Sequence, residues 1–279
     1  MGGTIYGTVM EKVAHLPWIQ DYMGGKTDSL AFQQELAGHK DQLNAIGLSD
    51  WWIGLLNRFP NDPWQGTRRM LELLYSAGMA RTSQIDEQIF LKFEKQVERS
   101  FSHMPDRYTS IFPEEARAAY TLSCAIRPGS IFVAGSYYGY LAVWLIPGLA
   151  PNGRMLCSDV DPVVCELARQ NMLALGDADR INVVCLDAEE LLKRESSPID
   201  LFVLDAYGSY GHPDPRYHGK AIYGPLLKAA LPRLHKKSII LVHNAENGFS
   251  ELAEFFQMVR DARLSLYLNT TDNLAIYQI

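Results

Sequence analysis

One stretch of the sequence decides the fold: Ile131-Phe132-Val133-Ala134-Gly135-Ser136-Tyr137-Tyr138-Gly139-Tyr140. An apolar run ends at Gly135, a second glycine follows at Gly139, and a helical apolar pattern covers 141–146. This order predicts a strand, a tight turn and a helix. The two glycines let the backbone approach a ligand where a Cβ atom would collide. The free N–H groups at the helix start favour a polar or anionic ligand. A purely structural corner would have the same pattern.

Three later strands each end in an aspartate. The three apolar runs are 155–158, 181–186 and 201–204, and the residues that end them are Asp159, Asp187 and Asp205. In an open parallel sheet the carboxyl ends of the strands share one edge, where ligands bind. An aspartate at the tip of the second strand can accept hydrogen bonds from both hydroxyls of a ribose. The sequence therefore predicts a doubly wound α/β sheet with a nucleoside site at this edge.

From 110 to 279 the chain resembles the class I S-adenosylmethionine (SAM) methyltransferases. It is most similar to the small-molecule O-methyltransferases of the catechol and caffeoyl-CoA type. The matching pieces are Ser110–Glu115, Gly135–Tyr140, Asp159–Pro162, Asp187-Ala188, Asp200–Ala206, His243-Asn244 and Asp272–Ala275. The resemblance implies a Rossmann-like doubly wound sheet of the class I methyltransferase type with an N-terminal helical extension. It also implies an antiparallel pair of strands at the end of the chain.

The resemblance implies a SAM site built from the glycine turn and the strand ends. It places Asp159 at the ribose, Asp187 and Ala188 beside the adenine, and the turn at the methionine part of SAM. The remaining expected cofactor-binding residues are Gly135, Ser136, Tyr137, Gly139, Tyr140, Val160 and Asp205. One departure concerns the acid that often opens the glycine motif of the family, because Val133 stands there.

The metal site and the base of the family are altered. The family binds Mg²⁺ with two aspartates and an asparagine, and this chain has Asp205, His243 and Asn244 at those positions. Imidazole is a poor ligand for Mg²⁺, which prefers oxygen, so we expect no metal. The lysine that follows the strand-four Asp-Ala in the family is also missing. Without the metal ion and without this lysine, the chain lacks both the ion that acidifies the hydroxyl and the base of the catechol mechanism.

Aromatic and histidine side chains stand in place of that machinery. The candidate catalytic residues are Asp205, His243, Asn244, Tyr138 and Tyr207. A tyrosine face attracts a cation such as a sulfonium by about 0.5–2 kcal/mol. The expected general base is His243, Asp205 or a tyrosine, and His243 is the favoured functional candidate among the histidines. The simpler alternative is that Asp205 and His243 only pair with each other.

Three functions remain open. The first is methyl transfer from SAM to a small acceptor of secondary metabolism. The second is cyclisation of SAM to azetidine-2-carboxylic acid with release of methylthioadenosine, since the chain looks compatible with methyltransferase-like azetidine-carboxylate synthases. The third is a SAM-binding protein without catalysis. An NAD-dependent oxidoreductase is disfavoured because the turn lacks G-x-G-x-x-G.

Composition and length exclude several classes of partner. With 279 residues, 47% of them hydrophobic, the chain is long enough for one large α/β domain and an extension. A net charge of -6 gives no basic footprint for nucleic acid. No run reaches membrane-spanning length and the N-terminus lacks a signal pattern, so a cytoplasmic protein is expected. We interpret the cysteines as core thiols; they are Cys124, Cys157, Cys165 and Cys185.

The N-terminal region, 1–105, is expected to be a helical cap or a dimerisation region, and a homodimer stays open as one alternative. The SAM-binding domain is expected over 106–279, with the boundary near Pro105-Asp106. Apolar spacing predicts helices over 29–46, 51–59, 66–80 and 84–102, the last capped by Thr82 or Ser83. Residues 1–28 are either a frayed tail or a docked segment.

Overall fold

The computed structural model describes residues 5–57, 62, 64–104, 111–176, 179–245, 250–269 and 274–279. The chain folds into two compact units. The first combines 1–65 with 102–114, and the second combines 66–101 with 115–279. The expected boundary at Pro105-Asp106 lies outside the described residues, as do Ser110, Asp272 and Asn273 of the matching pieces, so that boundary stays a prediction.

The second unit contains a seven-stranded sheet in the order β3-β2-β1-β4-β5-β7-β6. Its strands are β1 (Ser130–Ala134), β2 (Arg154–Asp159), β3 (Ile181–Cys185), β4 (Ile199–Leu204), β5 (Leu234–His243), β6 (Ser265–Asn269) and β7 (Leu274–Gln278). The first five strands pair in parallel, and β7 is antiparallel to both of its neighbours. This confirms the predicted Rossmann-like, doubly wound sheet with a terminal antiparallel pair.

The central strands form the core of the sheet because their C-terminal halves are apolar and buried, as is usual for parallel strands covered on both faces. Phe132 of β1 lies in register with Phe202 of β4, which in turn pairs with Ile240 of β5. All three side chains are at most 1% exposed. Their packing fixes the positions of the strand ends that follow.

Helices accompany the sheet in the second unit, and three of them, expected over 66–80, 84–102 and 141–146, are shorter than the sequence predicts. The helices are α6 (Gln65–Ser76), α7 (Glu87–Ser100), α8 (Pro113–Ile126), α9 (Tyr140–Val143), α10 (Pro162–Leu173), α11 (Ala188–Arg194), α12 (Tyr223–Ala230) and α13 (Ala253–Asp261). The cap predicted at Thr82 or Ser83 is wrong, because Asp86 accepts the N–H groups of Gln88 and Ile89 and starts α7 there.

The first unit has its own apolar core. Its helices are α1 (Ile5–Val13), α2 (Pro17–Met23), α3 (Ser29–Gly38), α4 (Lys40–Ala45) and α5 (Asp50–Asn57). The single helix predicted over 29–46 is divided at His39. Val13 and Tyr22 pack with Phe32 and Leu36 in one buried cluster, so the described part of 1–28 is a docked segment rather than a frayed tail.

The cysteines are not all core residues. Cys157 and Cys165 are buried and Cys124 is half-buried, whereas Cys185 is exposed at the end of β3, which corrects the expectation for that residue. Within the described part of the chain, no helix has the length and apolar character that crossing a membrane requires.

Candidate functional site

The glycine turn after β1 is held against the chain that follows β4. Gly135 has a φ of +82°, and a Cβ atom built on it would lie 2.4 Å from the Cα of Ala206. The N–H groups of Gly135 and Ser136 both donate to the carbonyl of Ser158 at 3.0 Å. Only glycine combines this backbone conformation with this closeness, so the motif glycine is required by the geometry of the turn.

Asp159 is fixed by the same turn. Its Oδ2 accepts the backbone N–H of Tyr137 at 2.8 Å, and its Oδ1 accepts that of Val160 at 2.8 Å. The N–H of Asp161 also approaches Oδ1, at 3.4 Å. A carboxylate has about four acceptor positions, so Oδ2 keeps one for a ribose hydroxyl. The predicted ribose ligand therefore stands directly beside the predicted methionine turn. The exposed side chain of Val160 lies next to it.

The other two expected cofactor contacts on this side have structural roles of their own. Asp187 caps α11 by accepting the N–H of Glu190 at 3.0 Å. Ala188 is the first residue of α11 and is 8% exposed. Both follow β3, the neighbour of β2 in the sheet, so they lie on the Asp159 side of the edge. Their contact with an adenine stays a prediction.

The tyrosines of the turn divide into two groups. The rings of Tyr137 and Tyr138 lie 3.9 Å apart at the site, and Tyr137 is 37% exposed. Tyr140 instead packs with its ring 5.1 Å from Phe101 and 6.0 Å from Trp144, in an aromatic cluster. Ser136 is buried, and its Oγ has no hydrogen-bond partner among the described residues. An unpartnered hydroxyl beside the turn is a polar group available to a ligand.

On the other side of β1, four charged side chains form one connected cluster. Asp205 Oδ1 lies 2.8 Å from His243 Nδ1 and 3.4 Å from Lys220 Nζ. The other ring nitrogen of His243, Nε2, lies 3.5 Å from Glu115 Oε2. We call Glu115, Asp205, Lys220 and His243 the charge cluster.

The charges in this cluster set one another's protonation. Burial by itself would lower the pKa of His243, but Asp205 and Glu115 raise that pKa to about 10. Burial would raise the pKa of Asp205, yet His243 and Lys220 lower it. Burial lowers the pKa of Lys220, against the opposing effect of Asp205. The raised pKa favours an imidazolium at neutral pH, and an imidazolium cannot accept a proton. This pairing disfavours His243 as the general base, and its role stays a prediction.

Sequence reasoning missed two members of the charge cluster. Lys220 lies in a short 3₁₀ turn, Lys220–Ile222, far along the chain from the position of the family lysine. Glu115 enters the sequence analysis only as the last residue of the matching piece Ser110–Glu115. A lysine directly before the apolar segment 221–227 is the one signal for Lys220, and it is weak.

The remaining candidates lie around the charge cluster. Tyr207 is 65% exposed, with the centroid of its ring 5.9 Å from Lys220 Nζ. Its hydroxyl donates to that of Tyr210 at 3.2 Å. Asn244 is half-buried after β5 and has a φ of +55°, a left-handed conformation that asparagine tolerates better than most residues. These side chains stand at the edge where the sequence places them.

The charge cluster does not fit a divalent metal ion. His243 directs both ring nitrogens at carboxylates, at 2.8 Å from Asp205 and 3.5 Å from Glu115, so neither nitrogen is turned toward a metal. Asp205 Oδ1 is already shared by two cationic groups. No group of three histidine, cysteine or acidic side chains that could hold a metal occurs within the described ranges.

Comparison with known proteins agrees with this architecture. Residues 132–245 match a family model described as a methyltransferase domain. A SAH-bound methyltransferase from Podospora anserina, PaMTH1, aligns with a TM-score of 0.52 and 17% identity over 67% of this chain and 86% of its own. An O-methyltransferase from Bacillus cereus in complex with SAH aligns with a TM-score of 0.51 and 16% identity over 70% and 92%. The fold is the class I methyltransferase fold.

Two further relatives of this methyltransferase fold are informative. TomG from Streptomyces achromogenes, an O-methyltransferase of tomaymycin synthesis in complex with SAM, aligns with a TM-score of 0.51 and 16% identity over 77% of this chain and 98% of its own. A catechol O-methyltransferase of Mycobacterium tuberculosis is 34% identical over 86 residues, which are 30% of this chain. That match spans only 39% of the curated relative.

Proposed function

We propose that this chain is a cytoplasmic, SAM-dependent enzyme that transfers a methyl group to a small-molecule acceptor of secondary metabolism. The observation that carries the proposal is the position of Asp159, whose carboxylate is tied to the N–H of Tyr137 in the glycine turn. The carboxylate expected to bind the ribose thus lies beside the glycine turn that lets a ligand come close to the backbone. Both lie at the carboxyl edge of a parallel sheet. The SAM- and SAH-bound relatives have the same fold.

The residues present fit SAM. Asp159 Oδ2 keeps an acceptor position for a ribose hydroxyl, and the hydroxyl of Ser136 is available to a polar group of the ligand. The glycine turn leaves room where Cβ atoms would project, and the ring of Tyr137 offers a face to a sulfonium. When bound, SAM supplies an electrophilic methyl group. The protein contributes orientation and proximity, which are the main requirements of an in-line displacement.

Cyclisation of SAM is the second candidate. Val133, where the family often has an acid, is 1% exposed inside the sheet and offers no charge to an ammonium group. An α-amine that is not held as a cation can attack the γ-carbon and expel methylthioadenosine, with loss of one proton to water. This reaction needs no second substrate and therefore makes a different prediction from methyl transfer.

One experiment separates the candidates. The purified protein is incubated with SAM alone and with SAM plus a panel of phenols and small amines, and the products are followed by mass spectrometry. Methyl transfer predicts S-adenosylhomocysteine only when an acceptor is present. Methylthioadenosine from SAM alone would establish cyclisation instead. No product in any mixture, together with tight SAM binding, would indicate a binding protein and overturn both enzymatic proposals.

Binding tests the cofactor site independently of the reaction. We expect Asp159→Asn to weaken SAH binding at least about 100-fold in calorimetry, because charge-assisted hydrogen bonds contribute about 1.5–3 kcal/mol each. The matched control is Glu166→Gln, which removes an exposed carboxylate from the surface of α10. Equal affinity of Asp159→Asn and the wild type would show that the ribose site lies elsewhere.

A further inference from the structure

The charge cluster places two positive groups on a single carboxylate oxygen. His243 Nδ1 and Lys220 Nζ both approach Asp205 Oδ1, at 2.8 and 3.4 Å. In the catechol-type family, as the resemblance implies, the matching aspartate faces a divalent cation. Here the aspartate is already matched by protein charges, since an imidazolium and an ammonium together carry a charge of two.

Lys220 is held in place by hydrogen bonds of both its side chain and its backbone. Its Nζ donates to the hydroxyl oxygen of Tyr223 at 2.9 Å, and that hydroxyl donates to the carbonyl of His243 at 2.7 Å. Its backbone N–H donates to Glu251 Oε2 at 2.7 Å. An ordinary surface lysine has none of these hydrogen bonds, so the position of the Lys220 side chain is fixed by its neighbours.

The ammonium still reaches the edge of the site. The Lys220 side chain is 12% exposed and the Asp205 side chain 20% exposed, whereas Glu115 behind them is 3% exposed. An ammonium has three N–H donors, and its two acceptors among the described residues are Asp205 and Tyr223. One donor is therefore available to an incoming oxygen.

We propose that Lys220 and His243 together supply the positive charge that a divalent ion supplies in catechol-type relatives, with the Lys220 ammonium binding the acceptor oxygen. This inference rests on the proposed methyl transfer. The acceptor hydroxyl gives its proton to water, its oxygen attacks the methyl carbon, and the carbon–sulfur bond breaks to release S-adenosylhomocysteine. Lys220 stabilises the oxyanion by a charge-assisted hydrogen bond. His243 does not touch the acceptor and acts as a positioning residue for Asp205.

Metal binding tests the inference without any acceptor. The double variant Lys220→Met/His243→Asp removes both cations and creates the two-aspartate and asparagine set at Asp205, His243 and Asn244. We expect Mn²⁺, followed by electron paramagnetic resonance at about 1 mM, to bind this variant and not the wild type, because oxygen ligands without competing cations suit the ion. The matched control is Lys228→Met/His243→Asp, in which the exposed Lys228 is replaced and Lys220 still competes.

Two results would overturn the inference. One is specific Mn²⁺ binding by the wild type, seen as paramagnetic broadening of the His243 ring signals in NMR. This measurement uses only the wild-type protein, so it does not depend on the folding of a variant. The other is a double variant that binds SAH normally and gains no Mn²⁺. Once an acceptor is known, Lys220→Met should lower kcat roughly 100-fold with unchanged SAH affinity, and chelators should leave the wild type active. Failure of the wild type to bind SAH would instead contradict the proposed function.

Discussion

Glu115→Gln is the substitution that most directly probes the charge cluster. Glu115 is 2% exposed on α8, and its Oε2 lies 3.5 Å from His243 Nε2. Glutamine keeps the shape of the side chain and removes its charge. The variant therefore leaves His243 with one carboxylate partner, Asp205, at 2.8 Å.

The size of the effect follows from the pKa of His243. Raising that pKa from 6.5 to about 10 corresponds to roughly 5 kcal/mol of preference for the imidazolium, at about 1.36 kcal/mol per pKa unit. Asp205 is the closer carboxylate and the larger of the two raising causes. An opposite charge at the distance of Glu115 contributes about 1–2 pKa units, so the pKa of His243 should fall by that amount in the variant.

The pH dependence of stability has a definite sign. The folded pKa of His243 lies above its unfolded value, so its stabilisation is complete below about pH 6.5 and is lost as the pH rises through about 10. The variant should be less stable than the wild type by about 2 kcal/mol at pH 6, and this deficit should disappear above pH 10.

Histidine NMR and urea unfolding measure these two effects. Ring ¹⁵N signals of His243, assigned with His243→Asn, are titrated in both proteins. His235 is the internal control, because its ion-pair partner is Asp200. A wild-type His243 that titrates near 6.5, or a variant with the same His243 pKa as the wild type, would refute the charge cluster. A stability deficit that persists unchanged at high pH would refute the electrostatic explanation.

Three further outcomes are expected. Gly135→Ala should cost more than about 3 kcal/mol or prevent folding, since its Cβ would meet backbone at 2.4 Å. Gly139→Ala, which would meet the end of a methionine side chain, should cost about 1–2 kcal/mol; equal losses in urea unfolding would contradict this. Phe90→Ala, which removes a fully buried ring, should cost about 3–5 kcal/mol, and a loss below 1 kcal/mol would show that the α7 face is not packed. Cys185, the exposed thiol, should react first with a disulfide reagent, and Cys185→Ser should remove that rapid phase.

The parallel sheet could be predicted from the sequence because its signals are local. Each central strand is a short apolar run, and the chain turns where the run ends at a glycine or an aspartate. The position of Asp159 follows from its own strand and from β1, its neighbour in the sheet. Helix ends are less predictable, as α7 shows, since Thr82, Ser83 and Asp86 are all suitable caps and the helix starts after Asp86.

The charge cluster could not be predicted because its members are joined only by the folded chain. Asp205 and His243 end neighbouring strands, β4 and β5, and the strand pattern alone puts both at the edge. Lys220 arrives through a loop that Gly208 and Gly219 close by backbone pairing, and Glu115 arrives on α8. The raised pKa of His243 depends on Asp205 and on Glu115, a residue far away along the chain. This is why the histidine resembles a base when it is considered alone.

The strand order divides the site into two halves with separable tasks. In the sheet order β3-β2-β1-β4-β5, the chain builds outward from β1 to β3 on one side and from β4 to β5 on the other. The strand order therefore reverses between β1 and β4, and this switch point is where ligands bind in such sheets. Asp159 lies on one side of that point, and Asp205 with its cations on the other. A change at Asp159 should therefore act on cofactor affinity, whereas a change at Lys220 should act on the transfer step. Variants that altered both quantities together would mean that the two halves form one indivisible site, contrary to the strand order.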